Sequence, residues 1–141
     1  MSWDMILMNC IDKVMTNTMN ELRDKIYQNA KDKGFWDKER NMGEALMLVV
    51  TELAEALEVH RASGQLKEFT EGQKLSLEKM NDETFAETFA IMVKDSFHDE
   101  MADVLIRVLD LCGGYNIDID WHVKMKMRYN ATRARLHGKK Y

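Results

Sequence analysis

Apolar residues recur every three or four positions along most of the chain, which is the period of an amphipathic α-helix. The pattern predicts a long first helix over about residues 3–33, with Gly34 as its stop signal. A second helix is predicted over about residues 43–62 and ends at Gly64. The apolar stripe of this second helix, which we expect to be buried, comprises Leu46, Val49, Val50, Leu53 and Leu57.

The second half of the chain begins with a weaker pattern. Residues 64–80 are polar and weakly patterned, so they predict an exposed connection, either without regular structure or with a short helical turn. Asn81 is a suitable N-cap for a further helix, in which Phe85, Phe89 and Val93 recur every four residues.

The last two predicted helices flank a pair of glycines. One runs from about His98 to Cys112 and stops at Gly113-Gly114, because adjacent glycines usually end a helix. The other is capped by Asp118 or Asp120 and is expected to fray by about Leu136.

Composition supports an all-α fold. The 141 residues include no proline and only seven glycines, whereas Leu, Met, Ala, Glu and Lys are plentiful. This length suits one domain with a single core. We therefore predict a single helical domain over residues 1–141, built as a bundle of four or five helices.

Several features indicate a cytoplasmic protein. The N-terminal stretch has no basic lead and contains Asp4 and Asp12, so it does not resemble a signal peptide. No run approaches the roughly 18 apolar residues of a membrane span. Cys10 and Cys112 are the only cysteines, too few for a disulfide framework or a thiolate metal site.

The net charge of −4 conceals an uneven distribution. After Asp120 there are seven Lys or Arg residues and no acidic residue, so residues 1–120 hold 13 basic against 24 acidic side chains. The basic tail is either a solvated helix end or a phosphate-binding segment. Nucleic acid is disfavoured as a partner, because the acidic body would repel a polyanion.

Two acidic pairs have the same helical spacing, Glu52-x-x-Glu55 and Glu100-x-x-Asp103. Residues three apart lie on one face of a helix, so two such helices side by side would form a cage of four carboxylates. Carboxylates at about 5 Å repel by roughly 3 kcal/mol per pair at an effective dielectric of about 20, so the cage requires a cation. Oxygen ligands favour Mg²⁺, with Mn²⁺ as a second choice.

Spacing alone leaves other interpretations open. Acidic residues three apart are common on solvated helices, and Asp103 with Arg107 would also form an intrahelical ion pair. Glu52 and Glu55 share their side of the helix with Ala45, which indicates partial burial. No Glu-x-x-His occurs, which argues against a ferritin-like di-iron site.

Three segments in order, TELAEALE, DEMADVLIRVLDL and KMRYNATR, resemble the MazG-like all-α nucleoside triphosphate pyrophosphohydrolases, a superfamily that includes all-α dUTPases and dCTPases. The resemblance implies a helical bundle that holds Mg²⁺ on a triphosphate. The implied metal ligands and catalytic residues are Glu52, Glu55, Glu100 and Asp103. The implied substrate-binding residues are Lys126, Asn130 and Arg133, with Phe35 and Trp36 near the base.

The resemblance also implies a reaction and an assembly. We expect hydrolysis of a nucleoside triphosphate to a nucleoside monophosphate and pyrophosphate by a homodimer or homotetramer. The alternative is a non-catalytic helical interaction or dimerisation module, in which the acidic faces are solvated and apolar stripes bind a partner. The twelve methionines give this alternative some support, because flexible thioether side chains adapt to partner surfaces.

Overall fold

A computed structural model of the protein describes residues 18–64 and 66–135. These residues contain helices and no strand, which confirms the all-α class for this part of the chain. The helices are α1 (Met19–Asp32), α2 (Met42–Ser63), α3 (Glu71–Glu78), α4 (Asp82–Met92), α5 (Phe97–Gly114) and α6 (Ile119–Ala131). Among the described helices, none is long and apolar enough to cross a membrane.

Several helix ends lie where the residues predict them. Asn81 accepts a hydrogen bond from the Thr84 amide and caps α4. Asp118 accepts one from the Trp121 amide and caps α6. Gly64 ends α2 in the left-handed conformation, with φ of 65°, which glycine adopts without steric cost.

The first predicted helix does not have the predicted extent. Thr18 has an extended backbone and forms a capping box with Glu21, so a new helix begins at Met19. A continuous helix over residues 3–33 is therefore wrong at Thr18, and the part of the prediction before this residue lies outside the described residues. Cys10 lies outside them too.

The described residues form six helices, one more than the upper limit of the prediction. The additional helix, α3, lies within the segment that its polar pattern assigned to an exposed connection. Thr70 and Gln73 form a capping box at its start, which supplies hydrogen bonds to the first turn. Helix α3 has no buried residue, so local capping accounts for it where hydrophobic periodicity does not.

Helix α5 ends at the glycine pair, as predicted, and the two glycines form its last two residues. A Cβ atom on Gly113 would lie 2.4 Å from Tyr27 Cβ, and one on Gly114 would lie 2.0 Å from Trp36 Cη2. Both separations are far below van der Waals contact. The two glycines therefore serve the close approach of aromatic side chains to the helix.

The chain divides into two compact units, each described here by itself. The terminal unit comprises residues 18–37 and 109–135 of the described chain, and the central unit comprises residues 38–108. In the terminal unit, Asp120 accepts hydrogen bonds from the Met19 and Asn20 amides, each at 3.1 Å. Asp120 therefore satisfies the first amides of α1, whereas Asp118 caps α6.

The buried face of α2 differs from the predicted one. Ala45, Glu52 and Ala56 are the buried residues of this helix. The predicted apolar stripe is not buried in the single chain: Leu46, Val50, Leu53 and Leu57 each keep about half of their surface exposed, and Val49 is half-buried. Small residues and a carboxylate thus occupy the inner face, while the large aliphatic side chains remain on the outer one.

Candidate metal centre

Helix α2 and the part of α5 up to Val108, both in the central unit, bring three of the predicted carboxylates together. Glu52 and Glu55 lie three residues apart on α2, and Glu100 lies in the first turn of α5. One carboxylate oxygen from each lies within 4.8 Å of the others. Glu52 and Glu100 are buried and Glu55 is exposed. We refer to Glu52, Glu55 and Glu100 as the acidic cluster.

Arg107 provides a cation at the edge of this cluster. Its Nε donates a hydrogen bond to Glu52 Oε1, and the two side chains form an ion pair between α5 and α2. Arg107 thus pairs with a residue on the other helix, whereas its position in the sequence had suggested Asp103. The pair offsets the charge of the buried Glu52 carboxylate and fixes its orientation.

Glu100 is the most deeply buried member, with 4% of its surface exposed. Its Oε2 is buried and has no hydrogen-bond partner within the described part of the chain. Burial, followed by the charges of Glu55 and Glu52, raises the pKa of Glu100 to about 7. A buried carboxylate oxygen without a donor is costly, and a cation at the cluster would remove that cost.

Asp103 is half-buried one turn beyond Glu100 on α5. Its pKa is raised by burial first, then by the charges of Asp99 and Glu52, while the charge of Arg107 lowers it. It is not among the three residues whose oxygens converge. The structure thus brings together three members of the predicted cage, and metal ligation by Asp103 stays a prediction.

The chemistry of the donor set suits a hard divalent cation. All three converging ligand atoms are carboxylate oxygens, the type that Mg²⁺ and Mn²⁺ prefer. Three ionised carboxylates and the Arg107 guanidinium paired with Glu52 have a formal charge of −2. A divalent cation would neutralise this charge. Typical zinc sites include His or Cys among their ligands, and this cluster contains neither.

The burial of α5 explains why the acids are not simply solvated. Glu100 is buried, whereas Met101 and Leu105 on the other side of the helix keep 37% and 59% of their surface exposed. In a typical amphipathic surface helix the apolar face is buried and the charged face is exposed, which is the opposite arrangement. The acid-bearing face of α5 therefore lies inside the central unit.

The predicted phosphate-binding residues belong to the terminal unit. Lys126 and Asn130 lie on α6, and Arg133 lies just beyond its C-cap residue, Thr132. Lys126 Nζ lies 5.3 Å and Arg133 Cζ lies 5.8 Å from the centre of the Tyr129 ring. The structure thus gathers two cations around one aromatic ring, and their contact with phosphate stays a prediction.

The two predicted base-binding aromatics have different surroundings. Trp36 donates a hydrogen bond from Nε1 to Asp110 Oδ1 at 2.8 Å and packs edge-on against Tyr27 at 5.1 Å between ring centres. Phe35 keeps 65% of its surface exposed. Trp36 therefore has a structural role in the terminal unit, and stacking of either ring on a base stays a prediction.

Comparison of the chain with protein-family models, with curated proteins and with solved structures found no match. The MazG-like resemblance thus rests on the three segments in which it was noticed. Sequence reasoning missed the pairing of Arg107 with Glu52, although its signal was present. Arg107 is one helical turn from Asp103 and two turns from Glu100, on the face that carries both acids.

Proposed function

We propose that this protein is a Mg²⁺-dependent nucleoside triphosphate pyrophosphohydrolase of the MazG-like kind, with Mn²⁺ as an alternative ion. The observation that carries the proposal is the buried Glu100 Oε2, which has no hydrogen-bond partner in the described chain and belongs to a cluster of three carboxylates. Such a group is expensive unless a ligand satisfies it. A divalent cation is the ligand that three carboxylates favour.

In this proposal Glu52, Glu55 and Glu100 hold the ion, and Asp103 completes the ligand set. When bound, Mg²⁺ supplies charge to the triphosphate oxygens and lowers the pKa of water. Arg107 keeps Glu52 in position. The MazG-like resemblance assigns Lys126, Asn130 and Arg133 to the phosphate and sugar oxygens, and Phe35 or Trp36 to the base.

The proposed reaction is attack of water on the α-phosphorus. The new bond joins the water oxygen to phosphorus, and the bond from the α-phosphorus to the bridging oxygen breaks. Pyrophosphate leaves, a nucleoside monophosphate remains, and one carboxylate that the metal does not fully engage takes the proton from water. Phosphoryl chemistry demands mainly positioning and charge stabilisation, which suits a carboxylate site.

Purified protein with Mg²⁺ should release pyrophosphate from at least one nucleoside triphosphate in a panel of canonical and damaged nucleotides. Glu52→Gln and Asp103→Asn should each abolish release while circular dichroism stays helical. Glu58→Gln, which removes an exposed acid from the same α2 helix, is the matched control and should retain activity. Full activity in both site variants would contradict the proposal, and release of phosphate alone would indicate an ordinary triphosphatase.

We further propose a homodimer or homotetramer in the cytoplasm, built from chains that each form a single helical domain. The half-exposed Leu46, Val50, Leu53 and Leu57 support an assembly, because such a stripe is normally covered. Light scattering should give a mass of two or four chains. Leu53→Glu should shift that mass toward the monomer.

The same exposed stripe favours the alternative function, a helical interaction module without catalysis. The two functions differ in their response to metal. A pyrophosphohydrolase should gain thermal stability in millimolar Mg²⁺ or Mn²⁺, and Glu52→Gln should lose that gain. A pure interaction module should show neither effect.

A further inference from the structure

The central unit contains a cavity that the acidic cluster does not explain. Its volume is about 430 Å³, within the roughly 300–1,000 Å³ typical of small-molecule sites. The apolar part of its lining comes from Val59 on α2, Leu66 beyond the end of that helix, Ile91 and Met92 on α4, and Phe97 at the start of α5. Lys67 and Lys94 add two ammonium groups.

The cavity and the acidic cluster are neighbours along both α2 and α5. Val59 is one turn beyond Glu55 along α2, and Phe97 is one turn before Glu100 along α5. One helical turn rises about 5.4 Å. If the phosphates of a nucleotide were bound at the cluster, its nucleoside would therefore be near the cavity.

The lining has the chemistry of a site for a flat, partly polar ring. Phe97 offers an aromatic wall whose orientation is supported by an edge-on contact with His60, at 6.3 Å between ring centres. Lys67 donates a hydrogen bond to the Met92 carbonyl, and an ammonium group carries three donors. Carbonyl and ring-nitrogen acceptors are thus the natural partners of its remaining N–H groups.

The charge of the cavity differs from that of the cluster. The cavity lining includes Lys67, Lys94 and one carboxylate, that of Asp95, which forms an ion pair with Lys94 at 2.9 Å. Lys67 therefore leaves the lining with a net positive charge. A second metal ion would find few ligands here, whereas a neutral ring bearing oxygen acceptors meets both the apolar walls and a donor.

We propose that this cavity binds the nucleoside of the triphosphate substrate, with the base against Phe97 and its acceptor atoms toward Lys67. This inference deepens the proposed function and rests on it for the identity of the ligand. It assigns base binding to residues of the central unit, in addition to any contribution of Phe35 or Trp36. Base preference should then follow the fit in this cavity.

Ile91 provides a gentle variant of the cavity. It lines the cavity and keeps 83% of its surface exposed, so Ile91→Ser should leave folding unchanged. Leu75→Ser is the matched control, because Leu75 is a half-exposed residue of α3 outside the cavity lining. Lys67→Gln tests the donor at another exposed position.

The test is a titration of the whole protein with thymidine, guanosine and adenosine, monitored by amide NMR shifts without divalent cation. At least one nucleoside should shift the amides of residues 91–97. Ile91→Ser and Lys67→Gln should each weaken its binding by about fivefold or more, which corresponds to about 1 kcal/mol, while Leu75→Ser should bind normally. Binding of inorganic tripolyphosphate with Mg²⁺ should be unchanged in all three variants.

Failure of this inference can be told apart from failure of the proposed function. Nucleoside shifts at residues 91–97 in a wild-type protein that hydrolyses no nucleoside triphosphate would support the cavity and contradict the pyrophosphohydrolase. Normal hydrolysis in both cavity variants, with nucleoside shifts absent from residues 91–97, would overturn the cavity and leave the metal centre in place. Shifts confined to residues 35 and 36 would also overturn it.

Discussion

Helix α5 carries two buried carboxylates ten residues apart, and their surroundings differ. Asp110, with 8% of its surface exposed, accepts a hydrogen bond from Trp36 Nε1 in the terminal unit. Glu100, with 4% exposed, belongs to the acidic cluster of the central unit. Its Oε2 has no partner in the described chain, and neighbouring carboxylates add repulsion to burial.

The contrast separates two uses of a buried acid. A carboxylate that accepts an indole N–H stabilises the packing around it, because its polar atom is satisfied within the fold. A carboxylate buried among others without a donor lowers stability, and it persists where a ligand compensates for it. Asp110 thus marks a structural region, and Glu100 marks the candidate functional one.

The largest expected effect is that of Glu100→Gln. The change removes a metal ligand, so Mg²⁺-dependent pyrophosphate release should fall by about a hundredfold or more. It also removes a buried negative charge, so the free energy of unfolding without metal at pH 8 should rise by about 1–3 kcal/mol. The rate of pyrophosphate release and urea unfolding, measured on the same sample, report the two effects.

Opposite signs in activity and stability distinguish a ligand site from a structural one. Asp82→Asn, at an exposed position in the first turn of α4, is the control and should leave pyrophosphate release unchanged. If Glu100→Gln lowered the stability as well, Glu100 would resemble Asp110, and the comparison would fail.

Gly114→Ala should have the next largest effect, on stability. The new Cβ would lie 2.0 Å from Trp36 Cη2, so the indole would have to leave its place beside Asp110 at a cost of about 2–3 kcal/mol. Gly72→Ala is the matched control, because a Cβ on this α3 glycine meets nothing closer than Thr70 Oγ1 at 4.0 Å. That variant should be neutral or stabilised by up to about 1 kcal/mol.

Trp fluorescence during urea unfolding will report both glycine variants. Equal stability of the two would mean that the close approach of Trp36 to α5 is not needed in the terminal unit.

The pH dependence of stability should show Glu100 directly. Because the folded pKa of about 7 lies above the ordinary value of 4.5, the folded state binds the proton more tightly than the unfolded state. The stabilising contribution is full below about pH 4.5 and is lost as pH rises through about 7. Without metal, the free energy of unfolding should therefore fall by about 2–3 kcal/mol between pH 5 and pH 8.

This loss should be much smaller in Glu100→Gln, which has no proton to release at that position. Mg²⁺ should restore stability at pH 8 more than at pH 5, because protons compete with the ion for the carboxylate. If the free energy of unfolding changed equally in the wild-type protein and in Glu100→Gln between pH 5 and pH 8, the raised pKa would not belong to Glu100.

The smallest effect should come from Asp110→Asn. The amide oxygen can still accept from Trp36 Nε1, so this hydrogen bond loses its charge assistance and nothing else, at a cost of about 1 kcal/mol or less. Thermal unfolding should show a small decrease in the melting temperature, and any hydrolytic activity should stay unchanged. A large loss of activity would give Asp110 a functional role and weaken the contrast with Glu100.

Much of the helical structure could be predicted from local signals. Asn81 and Asp118 begin α4 and α6 because short polar side chains accept from nearby amides, and Gly64 ends α2 because it adopts positive φ. Helix α3 escaped prediction, since its capping box lies within a polar stretch without hydrophobic periodicity. The pair Gly113-Gly114 marks the end of α5, but the packing of aromatic rings against it was not predicted, because local propensity does not report such contacts.

The candidate site divides along the same line. The sequence by itself determined the all-α class of the described chain and placed Glu52 and Glu55 on one helical face, because both follow from contacts within a few residues. Only the tertiary structure decided that Glu100 joins them, that Arg107 pairs with Glu52, and that the acid-bearing face is the buried one. Burial and pairing depend on which helices pack together, and hydrophobic periodicity states only that each helix has two faces.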